Sequence, residues 1–557
     1  MGVVTATIKS DGEEMSALYV TLSIDVSKEF NKVPTAELRF IDGIVSKKKF
    51  NILDGGFFDL GKEIEVALKY EGKPEKEETI FIGIVMNQSL ELNKFGTTLT
   101  IEMSDKAIKM TNVRKNAVYK EITDSEIIKK QIEKYNLKKG PFFTKTAVVH
   151  DEMIQYYATD WDFMVSRAEA NGLLVSVSNG EVSVFQPKIE TPSLELELGK
   201  DQIYDFDLKV NGGNQYHKVT SVGWDSTNQK FTEPAIGNEY KLSQKKEYNI
   251  SKIATAVGAE EKTLIHAAAM DSAELKAWSD GQIFKSRFSF IRGWFKIPGS
   301  ADVKVGQTIK IIGVGNFEGQ NIISGVRHEV TIDGWVTHLQ IGMDSCWFSA
   351  QPNVTDIRAA GLLPGVNGLQ IGIVEADKED PKHQFRIRVM IPALGPEKNI
   401  VWARLASIDA GMESGVFFKP KKDDEVIVGF LNDDPRQAVI LGSVHSSNRK
   451  TPAPFDVADE KKNQKGIFIK SEYKLLFDED DKGNGIITLS TSKENQISID
   501  ESKNIVSLSN KNGNKVELNK NEVIIISAGD CQIKVKGNLD IEAEKNISIK
   551  GSEINLI

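Results

Sequence analysis

Short runs in which apolar and polar residues alternate recur along most of the chain, and they end at Gly, Asn, Asp or Pro. Period-2 alternation predicts strands with one buried face. LLVSVSNGEVSVF, residues 173–185, is the clearest case. Two alternating runs flank Asn179-Gly180, a pair suited to a type I′ hairpin turn. VRHEVTIDGWVTHLQI, 326–341, repeats the design around Asp333-Gly334. Helical spacing is confined to three stretches. In TDSEIIKKQIEKYNL, 123–137, Ile128, Ile132 and Tyr135 share one face behind a Thr-Asp-Ser cap. A second helix is expected over Asp160–Asn171, with a capping-box pattern at Thr159 and Asp162 and a stop at Gly172. A third, Ala-rich, is expected from about Glu260 to Ser279, stopping near Gly281. All three read as packing elements.

From Gly365 to Ser446 the pattern changes to five short candidate strands: GLQIGIVEA, FRIRVMI, IVWARLA, EVIVGFL and AVILGSV. That density of strands fits a small closed barrel. Several of the runs are nearly all apolar, which points to strands covered on both faces. SSNRKTPAPFD then reads as a linker. Beyond it the composition shifts: residues 467–557 contain no Pro, His or Trp, and no helical pattern.

In this last region apolar residues come as alternating pairs: Ile487/Leu489, Ile497/Ile499, Val506/Leu508, Val516/Leu518, Val523/Ile525, Ile533/Val535, Leu539/Ile541, Ile547/Ile549 and Ile554/Leu556. Pair starts are about eight residues apart, with Gly, Asn, Lys and Ser between them. Each pair lies on one face of a short strand. Burying one such side chain contributes about 1.5–3 kcal/mol. Ordering each residue's backbone costs about 1–2 kcal/mol. With roughly one strong apolar residue in four, such a segment cannot form a core alone and must stack on neighbours. One chain could coil as a solenoid, or three chains could wind about one axis and share a core without free edges.

The length of 557 residues predicts roughly three or four domains. With 40% hydrophobic and 27% charged residues, the composition is that of an ordinary globular protein. A formal net charge of -9 gives no basic excess for nucleic acid. Cys346 and Cys531 stand far apart, which excludes a disulfide framework or a CxxC metal site and fits assembly in a reducing compartment. MGVVTATIKSDGEEMS lacks the charged start and apolar run of a secretory signal, and no stretch reaches 18 consecutive apolar residues. The expectation is synthesis in the cytoplasm and exit by a route other than a signal peptide.

Longer stretches carry a resemblance. QYYATDWDFMVSRAEANG, 155–172, has the order Gln-Tyr…Asp-Trp-Asp-Phe…Ala-Glu-x-x-Gly, and SVGWDSTNQ, 221–229, has a Trp-Asp turn. In the barrel segment the ordered matches are Trp402, Ala403, Arg404, Ala410, Gly411, Phe418, Pro420, Asp424, Glu425, Val426, Val428, Phe430, Asp434, Pro435, Arg436, Leu441, Gly442 and Ser443. By these residues the chain, over 1–557, resembles the valine-glycine repeat protein G (VgrG) family of type VI secretion. It is similar also to the spikes of extracellular contractile injection systems and to phage tail hubs.

The resemblance implies a mainly β fold with a few helices. It implies a phage-hub-like base of two linked β-barrels over 1–358, an oligonucleotide/oligosaccharide-fold (OB) neck over 359–450, a linker over 451–466 and a triple-stranded β-prism needle over 467–557. The needle core would then be Val516, Leu518, Val523, Ile525, Ile533, Val535, Leu539, Ile541, Ile547 and Ile549. The implied function is that of a homotrimeric central spike that caps the inner tube ring and contacts baseplate or hub components. It would carry effector cargo and a proline-alanine-alanine-arginine (PAAR) tip protein, and would touch the target membrane transiently on sheath contraction, ending outside the cell or in the target cell. The tip would dock at Ile554, Leu556 and Ile557. No fused effector is expected after GSEINLI, no lysozyme in the short gap before the needle, and no histidine-bound iron at the tip, because every histidine lies at or before His445.

No catalytic, cofactor or metal site is expected. GMESG at Gly411 places its serine wrongly for a nucleophile elbow, and neither HExxH nor GxxxxGK[ST] occurs. GVGNFEG, 313–319, reads as a hairpin loop. His328 and His338 flank a turn and could face each other across strands. Asp423-Asp424-Glu425 and Asp433-Asp434 read as solvated turns. Trp402 and Phe417/Phe418 are placed at strand starts, amid acidic neighbours that disfavour nucleic acid. Two other readings stay open on the residues alone: a monomeric β-solenoid adhesin, and a cell-wall-binding or hydrolysing protein.

Overall fold

The structure is a computed structural model that describes residues 3–71, 77–94, 96–241, 243–244, 248–354, 357–376, 378–395, 399–452, 455, 464–469, 473–480 and 482–555. It divides into two units, Met1–Ile357 and Arg358–Ile557. The fold is mainly β, with four α-helices among the described residues.

The first unit is built on one 14-stranded sheet. Strand Gly319–Thr331 joins its halves. Beyond a register shift at Ile323/Gly325 it pairs with Val20–Glu29 on one side, and it pairs with Gly334–Ile341 on the other. One core gathers Leu38, Phe40, Val66, Leu99 and Ile101, and a second gathers Phe295, Ile309, Ile323 and Leu339. Where the resemblance implies two linked barrels, the structure has two cores along one continuous hydrogen-bonded sheet.

A third core holds the helices. Helix Asp124–Lys134 starts at Thr123 in a full capping box with Glu126 and buries Ile128 and Ile132. Helix Asp160–Ala170 starts at Thr159, whose hydroxyl accepts from the Asp162 amide and donates to its carboxylate at 2.6 Å. Asn179 and Gly180 both take positive φ and turn the hairpin Leu174–Ser178/Glu181–Phe185. The second hairpin differs from expectation: Thr331 pairs with Gly334, so Ile332-Asp333 make the turn and only Gly334 has positive φ.

The expected helix over 260–279 is a strand followed by a later helix. Glu261–His266 pairs in parallel with Lys218–Asp225, and the helix runs Ser272–Phe288 behind an Asp271 cap. Gly281 does not end it. A Cβ there would lie 3.2 Å from the Gly172 Cα and from the Glu169 carbonyl oxygen, so this glycine serves close packing of two chain segments.

Glu169 ties these parts together. It is 3% exposed and accepts from Lys285 Nζ at 2.6 Å, Asn31 Nδ2 at 2.9 Å and the Phe348 amide at 2.7 Å. Two helices, a sheet turn and the end of the unit meet on one carboxylate. Glu169→Ala leaves the buried Lys285 ammonium without its partner. It is expected to lower the unfolding free energy by about 3–5 kcal/mol, measured by urea denaturation of the full chain.

In the second unit, Gln370–Val374, Ile387–Met390, Ile400–Leu405, Glu425–Phe430 and Ala438–Ser443 close a five-stranded barrel. Closure needs one parallel pair, Ile400–Leu405 with Ala438–Ser443. Val374, Val389, Ala403, Val426, Val428 and Ile440 fill the interior. Only one face of each strand is buried; Ile371 and Leu441 on the outside are exposed, against the expectation of cover on both faces. Most of the proposed linker lies outside the described residues. After it, seven strands form an antiparallel meander: Lys465–Ile469, Tyr473–Glu479, Gly485–Ser490, Gln496–Asp500, Ile505–Ser509, Lys515–Leu518 and Val523–Ile526.

Candidate assembly surface

The register of the meander aligns its apolar residues into two ladders. One runs Ile467, Leu475, Leu489, Ile497, Leu508, Val516, Ile525 across all seven strands. The other runs Phe477, Ile487, Ile499, Val506, Leu518, Val523 across six. Both ladders lie on one face, because paired residues in an antiparallel sheet point the same way. That face is open: Val516 is 36% exposed and Ile525 68%. The opposite face is mixed, with Leu476, Ile486, Ile505 and Ile524 among polar residues, and it is better shielded. Ser490 and Glu517 are buried there, and the Ser498 and Ser507 hydroxyls bond at 2.8 Å. Two open apolar ladders reverse the order water imposes on a finished sheet.

Val516, Leu518, Val523 and Ile525 of the expected needle core therefore sit on this face. Ile533, Val535, Leu539, Ile541, Ile547 and Ile549 lie beyond the last strand, in extended chain, and are all exposed. Of the expected tip residues, Ile554 is exposed, while Leu556 and Ile557 lie outside the described residues.

The barrel adds a second apolar surface that the sequence reading missed. Residues 406–424 form a long loop without helix or strand, and connections of that length are uncommon unless functional. Ile408, Met412, Phe417 and Phe418 stand exposed on it, Met412 at 95%. Phe417 and Phe418 thus lie in this loop, not at a strand start, and Trp402 is the third residue of its strand. The GMESG stretch is the loop's tip. Gly415 has φ 137°, and a Cβ there would lie 2.5 Å from the Asp409 carbonyl oxygen. The signal for this surface was present as four large apolar residues in a segment without alternation.

The remaining candidates are structural. His328 pairs with Thr337 and His338 with Arg327, so the two imidazoles sit at successive positions on opposite faces and do not meet. Burial, aided by Lys28, pulls His328 down to about 3. Burial likewise lowers Lys28 to about 8, against the pull of Asp105. His338 bonds Glu329 at 3.1 Å. GVGNFEG joins two antiparallel strands, as its hairpin reading requires. Asp424 pairs with Arg449 at 2.9 Å and Asp434 grips Arg436 at 2.6 Å, both as turn-stabilising pairs. Trp402 carries the Arg386 guanidinium over its ring at 5.6 Å. Among the described residues no group of three His, Cys, Asp or Glu side chains is placed to hold a metal. Among the described residues no helix is long and apolar enough to cross a membrane.

The segment 155–172 is a polar knot. Asp160 is held by Tyr135 Oη at 2.6 Å, Gln155 Nε2 at 2.9 Å and Lys115 Nζ at 2.9 Å. Burial alone would raise this carboxyl; the hydrogen bonds outweigh it and hold it at about 2. A depressed carboxylate stabilises the fold above its unfolded pKa, and that stability is lost as pH falls through the folded value. The advantage of the wild type over Asp160→Asn should therefore be full above about pH 5 and vanish toward pH 2. Thermal unfolding of both proteins across that range measures it.

A family model described as the Alg8 N-terminal domain matches residues 1–332. Another, the type VI secretion system/phage-baseplate injector OB domain, matches residues 370–445. The type VI secretion system spike protein VgrG3 of Vibrio cholerae is 32% identical over 120 residues. That stretch covers 20% of this chain and 11% of the relative. Among solved structures, a tail protein of Neisseria meningitidis aligns at TM-score 0.45 and 16% identity, over 63% of this chain and 99% of its own. The half-lidded Francisella PdpA-VgrG complex aligns at TM-score 0.40 and 11% identity, over 91% of this chain and 87% of its own.

Proposed function

Because the chain belongs to the family of the Alg8 N-terminal domain and is a VgrG-like spike protein with an injector OB barrel, we propose that three copies form the central spike of a contractile injection system. The observation that carries the trimer is the inverted meander. Thirteen apolar side chains per chain stand on one open face, each contributing about 1.5–3 kcal/mol when fully buried. Three such sheets facing one axis bury all of them against each other, which gives a closed prism. Val516, Leu518, Val523, Ile525 and the pairs beyond them then form the needle core. The exposed neck loop 406–424 lies in the same unit and offers a further apolar contact between copies.

In this reading the first unit, over 1–358, is the base that meets the inner tube ring and the baseplate. The barrel, 359–450, is the neck; the needle, 467–557, follows a linker at 451–466. The protein acts mechanically rather than as an enzyme. It carries effector cargo, binds no nucleic acid, and is driven through a target membrane by sheath contraction. It is made in the cytoplasm and ends outside the cell or in the target cell. For such a part the rate of forced unfolding matters more than equilibrium stability.

Light scattering on the full chain tests the trimer. A mass of three chains is expected; a monomer at micromolar concentration would sink the shared prism. Leu508→Lys places a charge in the middle of one ladder, where burial leaves it unpaired. It should yield monomers that retain the circular dichroism of the folded base. At the needle end, Ile554 with Leu556 and Ile557 is proposed to seat a PAAR-type cap. Mixing purified cap with the trimer should raise the scattering mass by one cap, and an unchanged mass would remove this docking.

A further inference from the structure

The five-stranded barrel carries a basic groove that the spike reading leaves unused. It has a volume of about 480 Å³ and lies over the outer face of the parallel pair Ile400–Leu405 and Ala438–Ser443. Ala403 is fully buried inside the barrel, so alternation turns its neighbours Trp402 and Arg404 outward into the groove. One wall is the loop at 375–386, between the first two barrel strands. The other is the loop at 431–437, between the last two. Lys382, Arg386, Arg404 and Arg436 line the groove, and among the described residues no acidic side chain does. In a chain of formal net charge -9 this is a local reversal of sign.

Each wall aims one guanidinium by the same device. Asp380 is buried and accepts from Arg386 Nε at 3.1 Å and Nη2 at 2.6 Å. It also accepts from the Lys382 and Gln384 amides, which fixes the loop around it. Asp434 is buried and accepts from Arg436 Nε at 3.0 Å and Nη2 at 2.6 Å. Two-point pairing sets the plane of a guanidinium and leaves Nη1 to meet a ligand. Arg404 and Lys382 are exposed and have no carboxylate partner among the described residues. Half of the positive charge in the groove is therefore unmatched.

We infer that this groove binds an acidic oligosaccharide. Arg386, Arg404 and Arg436 donate to its anionic groups, and the Gln384 and Gln437 side chains, which also line the groove, bond its hydroxyls. Five-stranded barrels of this kind bind oligonucleotides and oligosaccharides between these same two loops. Three observations choose the sugar. The groove holds one aromatic ring, Trp402, and the Arg386 guanidinium lies over it at 5.6 Å, so no bare platform is left for stacked bases. An extended peptide adds to a free strand edge, but both floor strands are paired on both sides. The volume is larger than one phosphate fills and lies in the range of sites for small organic ligands.

Titration calorimetry on the full-length protein tests this, with tetragalacturonate as the carboxylate probe and trehalose phosphate as the phosphate probe. At least one should bind with a Kd below about 1 mM in low salt, and several-fold more weakly once salt screens the groove. The tighter of the two identifies the anion. Arg404→Gln should weaken binding about tenfold or more with circular dichroism and scattering mass unchanged. Lys382→Gln, on the loop, should weaken it as well and serves if Arg404→Gln fails to fold. Lys422→Gln, outside the groove, should change it less than about twofold. Neutral cellotetraose binding as tightly as either probe overturns the role of charge. Inorganic phosphate binding as tightly overturns the sugar, and a short oligothymidylate binding more tightly replaces it with nucleic acid. No binding of either acidic sugar, or full binding by folded Arg404→Gln, overturns the site. Each of these results leaves the spike reading where it stands, since that reading does not use the groove.

Discussion

The C-terminal meander turns on a sheet whose apolar face is left open within one chain. Each strand of the meander pairs with its sequence neighbours within the chain, which fixes the register. The same register aligns every apolar pair outward. A one-residue slip would turn the ladders over but break the pairing of all the strands. Local hydrogen bonding and solvent therefore make opposite demands on this face, and the trimer proposed above would meet both.

The base solves a different problem. Its strands are long, and its two cores are closed by residues from distant parts of the chain. Where helices, turn and sheet converge, polar groups rather than apolar ones hold the join: Glu169 with Lys285, and Asp160 with Tyr135, Gln155 and Lys115. Such groups are costly to bury unless every partner is in place. That cost makes the arrangement specific, since an alternative packing leaves charges unmet.

Alternation was the most legible feature of the sequence. The Asn179-Gly180 hairpin and the needle pairs up to Val523/Ile525 follow from period-2 runs, and the five barrel strands from short apolar runs between turns. What misled was context held far away in the chain. Gly281 reads as a helix end, but Gly172 lies against it and the helix continues. Residues 261–266 have an Ala-rich sequel that suggests helix, yet the strand at 218–225 recruits them. Phe417 and Phe418 look like strand starters, but the loop closed at Gly415 holds them out of the barrel. The apolar face was readable as residues; whether it is covered was not, because that depends on more than one chain.

The outward ladders also bear on how the protein is made. A ribosome releases the chain from its first residue, so the base can fold while the needle is still being synthesised. The open apolar sheet emerges after the base and the barrel. From then until it is covered, each chain carries a surface that any other exposed strand can stick to. In the proposed trimer, correct assembly would need three chains to meet, whereas a wrong contact needs only two, so crowding on one message would favour the right outcome only if neighbouring ribosomes deliver matching chains. The lysines, glutamates and asparagines that punctuate the needle between apolar pairs act as gatekeepers during that wait.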